Sequence, residues 1–306
     1  MTDTIETASR ACPDCGSLGG KVAAFSAPAA ENLPPDALRP LWAGLDSKKA
    51  FFSYVRCADC ALVYDPIYFT RQSLASLYAD LEPNMDMVPP AMVADTQRGY
   101  FDAIATTGEL SGGYLEIGPD IGYMVAEAAR RGAFEHYWLY EPNRAVHDAL
   151  RHATGGRPAT ISDEMEDLSA VPDGSVGLAV MVHVLDHLIE PKAMVRQIAR
   201  KLRPGGMLAI VTHNEGSLLR HVLGRRWPPF CLQHPQLFSP ATMRGMLGRA
   251  GFDRVEVRAA ANVFPADFLV RQAGQAAGLG LGKLPLPAIP LRLRLGNILT
   301  LARLPA

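Results

Sequence analysis

The sequence predicts an α/β protein: a mostly parallel sheet covered by helices on both faces, preceded by a small cysteine-rich module. From residue 113 onward, strand patterns alternate with helix patterns, the order that builds a parallel sheet. The stretch 176–182 is nearly all apolar, as expected of a central strand that is covered on both sides. Four of the five cysteines lie within the first 80 residues, which otherwise lack a regular pattern.

Length and composition describe an ordinary globular protein. A chain of 306 residues can bury one large core and a smaller module. Its composition, 48% hydrophobic and 20% charged, is that of a folded protein. The formal net charge of -1 gives no global field that would attract the chain to nucleic acid or to anionic lipid. Nucleic-acid partners are therefore not expected.

The sequence shows no pattern for export or membrane insertion. Residues 1–10 are polar and acidic without an apolar centre, unlike a secretory signal. No uninterrupted apolar run approaches the ~20 residues that span a bilayer. We therefore expect a cytoplasmic protein without a transmembrane segment, in a compartment where thiols stay reduced.

The alternating pattern gives the order of the elements along the chain. The ranges that favour strands are 113–117, 137–140, 158–162, 176–182, 206–212, 253–258 and 298–304. The ranges that favour helices are 122–131, 143–152, 190–202 and 239–250. Three regions follow: a cysteine-rich module at 1–80, a linker and helix at 81–112, and an α/β domain at 113–306. The last region carries a Pro- and Gly-rich insertion at about 261–295.

Two Cys-x-x-Cys pairs lie in the first region, Cys12 with Cys15 and Cys57 with Cys60. Four thiolates can close a tetrahedron around Zn²⁺; disulfides and a redox motif are the alternatives. A reduced compartment and the repeated spacing favour zinc. Because cysteine fills all four positions, the ion is expected to be structural and not catalytic. Residues 1–80 are thus predicted to be a zinc-ribbon-like module.

The stretch 114–125 is the most informative part of the α/β domain. It reads as a strand, a turn and a helix start, with the pattern Glu116-x-Gly118-x-x-x-Gly122. Glycine lets the backbone approach a ligand closely. The next strand ends at Glu141, roughly 20 residues on, where a carboxylate can accept hydrogen bonds from ribose hydroxyls. The pattern predicts a nucleotide-binding unit, without defining the cofactor.

Further motifs follow in order along the chain. They are Asp173-Gly174-Ser175 before a buried strand, His183-Val184-Leu185-Asp186-His187-Leu188 after it, Leu202-Arg203-Pro204-Gly205-Gly206 at a helix stop, and Ala250-Gly251-Phe252. Their order resembles that of class I S-adenosylmethionine-dependent methyltransferases over roughly residues 113–258. The resemblance implies a Rossmann-like sheet of seven strands, with the last strand antiparallel. It also implies S-adenosylmethionine as the methyl donor.

The N-terminal region adds a second resemblance. The stretch 56–64, followed by Leu77-Tyr78, is similar to zinc-ribbon methyltransferases of bacterial surface-glycan and deoxysugar pathways. This resemblance implies methyl transfer to a sugar or small polar metabolite, in glycan or secondary-metabolite biosynthesis. One alternative is a zinc-ribbon RNA methyltransferase, against which the balanced charge counts. Another is a non-catalytic binding protein that keeps the methyltransferase fold.

The resemblance assigns cofactor roles by position. Glu116 and Gly118 frame the methionine end of the donor, and Gly122 lets the next helix start near the ligand. Glu141 binds both ribose hydroxyls, since a carboxylate accepts two hydrogen bonds. Asp163, directly after the third strand, is the candidate for the adenine amino group.

Asp120 departs from the family pattern, which has glycine or another small residue near this position. Its carboxylate either accepts from the α-ammonium group of the donor or marks a pocket that has lost function. Asp120 is therefore included among the predicted cofactor contacts, and it is the main support for the non-catalytic alternative.

Three histidines are candidates for the general base, which contributes roughly 10²–10⁴ in rate for a hydroxyl acceptor. His183 ends the central strand, where open α/β sheets bind ligands, and is predicted as both a catalytic and a cofactor-binding residue. His187 is placed one helical turn later. His234 lies in a loop that could cover the substrate. The pair His213-Asn214 after the fifth strand is predicted to face the same cleft.

The tail at 281–295 mixes leucine and proline with basic residues. A membrane-surface segment is one interpretation, since basic amphipathic segments bind anionic lipid. The prolines prevent a continuous helix. We therefore favour an insertion that covers the active site or forms a homodimer contact.

Overall fold

The computed structural model describes residues 5–42, 50–79, 88–108, 110–277 and 287–306. Its N-terminal strands are β1 Thr7–Ser9, β2 Gly20–Ala24, β3 Tyr54–Cys57, β4 Val63–Tyr64 and β5 Ile67–Phe69. The first α-helices are α1 Pro35–Leu38, α2 Arg71–Ala79 and α3 Pro90–Ala105. Helix α3 lies in the predicted linker and begins at a proline, whose missing N–H costs nothing in the first helical turn.

Strands and helices alternate from residue 111 onward. The strands are β6 Ser111–Ile117, β7 Ala133–Tyr140, β8 Ala159–Ser162, β9 Val176–Val182, β10 Leu202–His213, β11 Gln236–Leu237, β12 Arg254–Pro265 and β13 Pro290–Arg303. The helices are α4 Tyr123–Arg131, α5 His147–Ala153, α6 Pro191–Lys201, α7 Leu218–Leu223, α8 Pro240–Arg249 and α9 Ala266–Ala277. Local sequence sets their ends: Ser239 and Thr242 form a capping box at the start of α8.

One sheet of seven strands has the order β12-β13-β10-β9-β6-β7-β8. Strands β10, β9, β6, β7 and β8 are parallel neighbours, whereas β13 is antiparallel to both β10 and β12. The predicted fold class is therefore confirmed, including the antiparallel last strand. The strand order reverses between β6 and β9, and ligands of open α/β sheets bind at the carboxyl ends of the strands there.

The central strand β9 explains why the sheet is covered on both faces. Leu178 and Val180 belong to one buried cluster, and Ala179 and Met181 belong to the other. Successive side chains of a strand point to opposite faces, so this alternation divides the core into two layers. All four residues are at most 1% exposed.

The C-terminal hairpin is longer than its sequence pattern predicted. Strand β12 continues to Pro265 and β13 begins at Pro290, so residues 261–265 and 290–295 belong to strands and not to the predicted insertion. Residues 290–295 are largely exposed, and a backbone ladder does not need the apolar alternation from which strands are recognised. Helix α9 occupies part of the remaining insertion. Residues 278–286, and with them the start of the predicted tail, lie outside the described residues.

A second sheet joins the N-terminal region to the α/β domain. Its order is β11-β4-β3-β2, and β11 comes from between helices α7 and α8. Two buried tyrosines strengthen this link. The Tyr54 hydroxyl donates to the carbonyl of His234 at 2.6 Å, and the Tyr68 hydroxyl donates to the carbonyl of Leu232 at 2.7 Å. The loop before β11 is thus held by the N-terminal region.

Ion pairs and a shared core tie the two regions further. Arg56 makes two hydrogen bonds to the Glu215 carboxylate, at 2.8 and 2.9 Å. The fully buried Asp14 side chain pairs with Arg249. Cys12 and Cys57 belong to the same buried cluster as the core strands. Within the described ranges, no helix combines the length and apolar character needed to cross a membrane.

Candidate functional site

The turn after β6 lies at the carboxyl edge of the sheet, beside the reversal of strand order. Gly118 has φ of 66°, and a Cβ atom added there would lie 2.5 Å from Cγ2 of Val184. Gly122 has φ of 88° and directly precedes α4; a Cβ atom there would lie 2.9 Å from that of Ala153. Both positions require glycine, for backbone conformation and for space. The structure therefore places both predicted glycines in a tight turn between β6 and α4.

Glu141 follows β7 and reaches across to this turn. One carboxylate oxygen accepts from the backbone N–H of Asp120 and the other accepts from that of Asn143, each at 2.9 Å. Each oxygen keeps a lone pair, so the carboxylate can still accept from a pair of hydroxyls. Burial raises the pKa of Glu141, and these two backbone hydrogen bonds oppose the shift. The arrangement fits the predicted ribose contact.

Asp120 lies in the left-handed region with φ of 50°. Such a conformation is uncommon outside glycine and costs roughly 1–2 kcal/mol. Its backbone N–H is held by Glu141, and burial raises the pKa of its carboxyl group. The residue that departs from the family pattern thus belongs to the same turn as Gly118 and Gly122.

Glu116 lies within β6 and is only 1% exposed. The hydroxyl of Tyr114 donates to its carboxylate at 2.6 Å. Burial raises the pKa of Glu116 to about 8, although the Tyr114 hydrogen bond acts in the opposite direction. The side chain is therefore a buried acid in the strand that leads into the turn.

The free protein should become more stable when Glu116 is made permanently neutral. The folded carboxyl group stays protonated up to about pH 8, whereas an ordinary glutamate ionises near 4.5. The folded state therefore holds the extra proton between these values, and stability falls as the pH rises through this window. At about 1.4 kcal/mol per pKa unit, we expect Glu116→Gln to gain about 2 kcal/mol or more at pH 8.

Chemical denaturation at pH 5 and pH 8 measures this effect. The control is Glu256→Gln, which changes an exposed glutamate paired with Arg258. A Glu116→Gln advantage that does not grow between the two pH values would contradict the prediction.

Asp163 directly follows β8, as the sequence predicts. Its carboxylate accepts from Nε of Arg144 at 2.6 Å, and this pairing lowers the pKa of Asp163. Arg144 itself lies three residues after Glu141. The structure therefore brings Asp163 to the same edge as the ribose candidate, in a more exposed position.

Four histidines come together at the carboxyl ends of β9 and β10. The ring centroids of His183 and His213 are 4.7 Å apart, those of His187 and His234 are 4.6 Å apart, and those of His213 and His234 are 5.0 Å apart. Asp186 lies among them with no exposed surface. The three predicted catalytic histidines are thus neighbours, together with the predicted cleft residue His213.

The backbone conformation between His183 and His187 differs from the prediction in one respect. Residues 183–190 form turns and bends, so His187 is not one helical turn beyond His183 as predicted. His183 itself has φ of 54°, a conformation that breaks the strand and rules out a continuous helix. The turn still brings His187 into the cluster, where its Nδ1 lies 3.2 Å from the hydroxyl of Tyr78.

Charge within the cluster is unevenly distributed. Burial lowers the pKa of His183, His187 and His213, that of His187 to about 3. Burial also lowers the pKa of His234, but neighbouring Cys231 and Asp186 outweigh it and raise the pKa to about 9. For Asp186, burial favours the neutral acid, yet the surrounding histidines hold its pKa below the ordinary value.

Several residues of this cluster were given no role at the site from the sequence. Tyr78 comes from α2, Cys231 places its Sγ 3.2 Å from Nδ1 of His234, and Oδ1 of Asn297 accepts from Nδ1 of His213 at 3.0 Å. Asp186 appeared in the quoted His-Val-Leu-Asp-His motif but was given no role. Its position between two histidines was the available signal.

The four predicted metal-binding cysteines also come together. Their Sγ atoms lie within 4.8 Å of one another, with 3.5 Å between Cys12 and Cys60 and 3.4 Å between Cys15 and Cys57. A tetrahedral Zn²⁺ with bonds of about 2.3 Å needs sulfur atoms about 3.8 Å apart, so the donor set fits zinc. Corresponding turns form both halves: the N–H groups of Gly16 and Ala61 donate to the carbonyls of Cys12 and Cys57.

The sheet order, the glycine turn after β6 and the acid after β7 define a class of protein. They are those of class I S-adenosylmethionine-dependent methyltransferases. Residues 92–257 match the family described as Methyltransferase domain, and the chain belongs to this family. It is accordingly an S-adenosylmethionine-dependent methyltransferase.

Curated relatives share this class. The chain is 26% identical over 186 residues to the ubiquinone biosynthesis O-methyltransferase of Cupriavidus pinatubonensis, which covers 58% of this chain and 74% of that protein. It is 25% identical over 154 residues to the protein of the same name from Neisseria meningitidis serogroup C, which covers 47% of this chain and 65% of the relative. The match therefore spans about two thirds of the Neisseria protein.

Solved structures share the fold at lower sequence identity. One is the complex between the Haloferax volcanii Trm112 methyltransferase activator and a methyltransferase, with a TM-score of 0.51, 17% identity and coverage of 71% of this chain and 92% of that chain. Another is the YcgJ protein from Bacillus subtilis, with a TM-score of 0.50, 16% identity and coverage of 68% and 99%. At these identities the likeness concerns the fold alone.

Proposed function

We propose that the protein transfers the methyl group of S-adenosylmethionine to a hydroxyl group of a small-molecule acceptor. The observation that carries the proposal is the position of the histidine cluster. His183 directly follows β9 at the reversal of strand order, and the next residue, Val184, packs directly against Gly118 of the turn assigned to the donor. Groups able to take up a proton thus adjoin the turn assigned to the donor.

The predicted cofactor residues supply a binding site of matching chemistry. Glu116 and the turn formed by Gly118, Asp120 and Gly122 would surround the methionine end. Glu141 would accept from the ribose hydroxyls, and Asp163 would lie toward the adenine. S-adenosylmethionine supplies an electrophilic methyl group on a sulfonium, and holding the reacting atoms in line accounts for much of the rate in such a transfer.

His187 and His234 are our candidates for the base. Nδ1 of His234 lies 2.8 Å from the carbonyl of Pro229, which can only accept, so this nitrogen carries a proton in that hydrogen bond. Because its pKa is raised to about 9, His234 also carries a proton on Nε2 at neutral pH, and that nitrogen can accept a proton from an acceptor hydroxyl only as the pH approaches 9. His187, whose ring packs against that of His234, is oriented by Tyr78. His183 lies closest in sequence to the residue that covers the donor turn.

The acceptor class rests on two kinds of support. The named relatives are O-methyltransferases, which favours a hydroxyl acceptor. The resemblance to zinc-ribbon methyltransferases favours a sugar or another small polar metabolite. The four-cysteine cluster supports structural zinc in this chain, with Cys12, Cys15, Cys57 and Cys60 as its ligands.

At pH 9, where a large share of His234 is neutral, replacing His234 or His187 by glutamine should lower kcat about a hundredfold, because a positioned base contributes roughly 10²–10⁴. Binding of S-adenosylhomocysteine, measured by calorimetry, should change little. Turnover is followed with methyl-labelled donor and a panel of sugars, phenols and other hydroxyl compounds. His152→Gln is the matched control, because His152 is exposed on α5.

Three results would count against the proposal. Zinc-loaded protein that fails to bind S-adenosylhomocysteine would remove the donor assignment. Binding without turnover on any acceptor of the panel would favour a non-catalytic protein. Full activity in both histidine variants would exclude these side chains as the base.

A further inference from the structure

Asp186 is buried without adequate partners. It is 0% exposed, and its Oδ1 has no hydrogen-bond partner among the described residues. Among those same residues, its Oδ2 accepts a single long hydrogen bond, 3.4 Å from the backbone N–H of His213. A buried carboxylate oxygen without a hydrogen bond is costly, so Oδ1 of Asp186 still needs a donor or a cation in addition to the histidines around it.

The side chains nearest to Asp186 are of a type that can bind metal ions. One ligand atom each from His183, Asp186 and His213 lies within 4.8 Å of the other two. Nε2 of His213 and Oδ2 of Asp186 are 4.0 Å apart. Two ligand atoms that each bind one ion at about 2.1 Å can be at most about 4.2 Å apart, so small side-chain rotations close the set.

The surroundings orient one histidine for this task. Nδ1 of His213 lies 3.0 Å from Oδ1 of Asn297, whose Nδ2 donates to Asn262 at 3.0 Å and thereby fixes the direction of the amide. His213 therefore donates from Nδ1 and directs the Nε2 lone pair toward Asp186. A hydrogen bond on the distal nitrogen is the usual support of a metal-bound histidine.

His183 supplies the third ligand. Its Nδ1 is buried and has no partner among the described residues. Asn297 Nδ2 approaches its Nε2 at 3.4 Å, too long a contact to fix the tautomer. The left-handed backbone of His183, with φ of 54°, turns the chain away from strand geometry at the point where Asp186 and His213 meet. Backbone strain of this kind concentrates at functional sites.

We propose that His183, Asp186 and His213 bind a divalent first-row transition-metal ion through two imidazole nitrogens and one carboxylate. Two histidines and a carboxylate suit Zn²⁺, Fe²⁺, Co²⁺ or Mn²⁺ and leave coordination positions open. The site is separate from the four-cysteine cluster and differs in donor chemistry. Binding at this site does not depend on the proposed reaction. The catalytic consequence of metal binding does rest on the proposed function: an acceptor hydroxyl bound at an open coordination position would lose its proton more easily.

Full-length protein with zinc already bound at the cysteines is the material for the test. Co²⁺ is added, and binding is followed by visible absorption and by calorimetry. We expect one further equivalent, with the spectrum of nitrogen and oxygen ligands and without the charge-transfer bands that thiolates give. Asp186→Asn and His213→Ala should each weaken this binding at least tenfold, whereas His152→Ala should leave it unchanged.

The His213→Ala variant is less prone to a folding defect than Asp186→Asn, because the His213 side chain is 23% exposed whereas Asp186 is fully buried. Retention of zinc and of S-adenosylhomocysteine binding shows that each variant is folded. Absence of a further Co²⁺ equivalent in the parent protein overturns the proposal. So does unchanged Co²⁺ affinity in folded His213→Ala protein. Loss of turnover alone would bear on the proposed function and not on the metal site.

Discussion

If the four cysteines bind structural zinc as we propose, Cys57→Ser protein should lose that zinc and the fold of the N-terminal sheet. A structural four-cysteine zinc site contributes on the order of 10 kcal/mol, comparable to the whole stability of a typical domain. Cys57 ends β3, so the damage begins in the middle of the β11-β4-β3-β2 sheet. Zinc content after gel filtration and hydrogen exchange of residues 54–69 measure the two effects.

Cys231→Ser is the matched control, because Cys231 is a buried cysteine outside the four-cysteine cluster. It should retain the cysteine-bound zinc. The damage in Cys57→Ser should extend to the loop that carries His234, since Tyr54 and Tyr68 hold that loop by its carbonyls. Full zinc content or native protection of β3 in Cys57→Ser would show that the cluster binds no structural metal.

Glu141→Ala should abolish measurable binding of the methyl donor at ordinary concentrations. Hydrogen bonds to a charged group are worth about 1.5–3 kcal/mol each. Losing two of them corresponds to an affinity lower by about 10²–10⁴. Calorimetry with S-adenosylhomocysteine measures the loss. Glu256→Ala, on the exposed part of β12, should bind as the parent does.

The effect on the ligand must be separated from the effect on the turn. Glu141 also accepts from the backbone N–H groups of Asp120 and Asn143, so its removal loosens the turn in the free protein. Glu141→Gln keeps one acceptor oxygen and should bind with an intermediate affinity. Comparing the thermal stability of the free variants with their affinities resolves the two contributions. Parent-like affinity in a folded Glu141→Ala variant would exclude the ribose role.

The sequence predicts the sheet well because its signals are local. An apolar run such as 176–182 by itself predicts a buried strand. The spacing Glu116-x-Gly118-x-x-x-Gly122 by itself predicts a turn at the end of a strand. The same holds for two cysteine pairs with the same spacing, which the fold brings within 4.8 Å. Each of these features depends on residues close together along the chain.

Other parts of the site depend on contacts between distant segments. Tyr78 reaches His187 from α2 across 109 positions, and Asn297 reaches His213 from β13 across 84. No periodicity or residue spacing in a single sequence reveals contacts between segments that are so far apart along the chain. The length of β13 was missed for a related reason, since the exposed start of this strand gains its order from pairing with β12 and not from its own apolar pattern.

Strand β11 has a further consequence for anyone who recombines this protein with its relatives. Gln236, in this strand, is fully buried and donates to the carbonyls of Leu185 and Leu188, while Leu237 pairs with Val63 in the N-terminal sheet. A chimera joined between residues 80 and 110 would therefore separate Leu237 from Val63 and interrupt the shared sheet. The N-terminal strands and the segment 227–238 must be exchanged together if this sheet is to be kept.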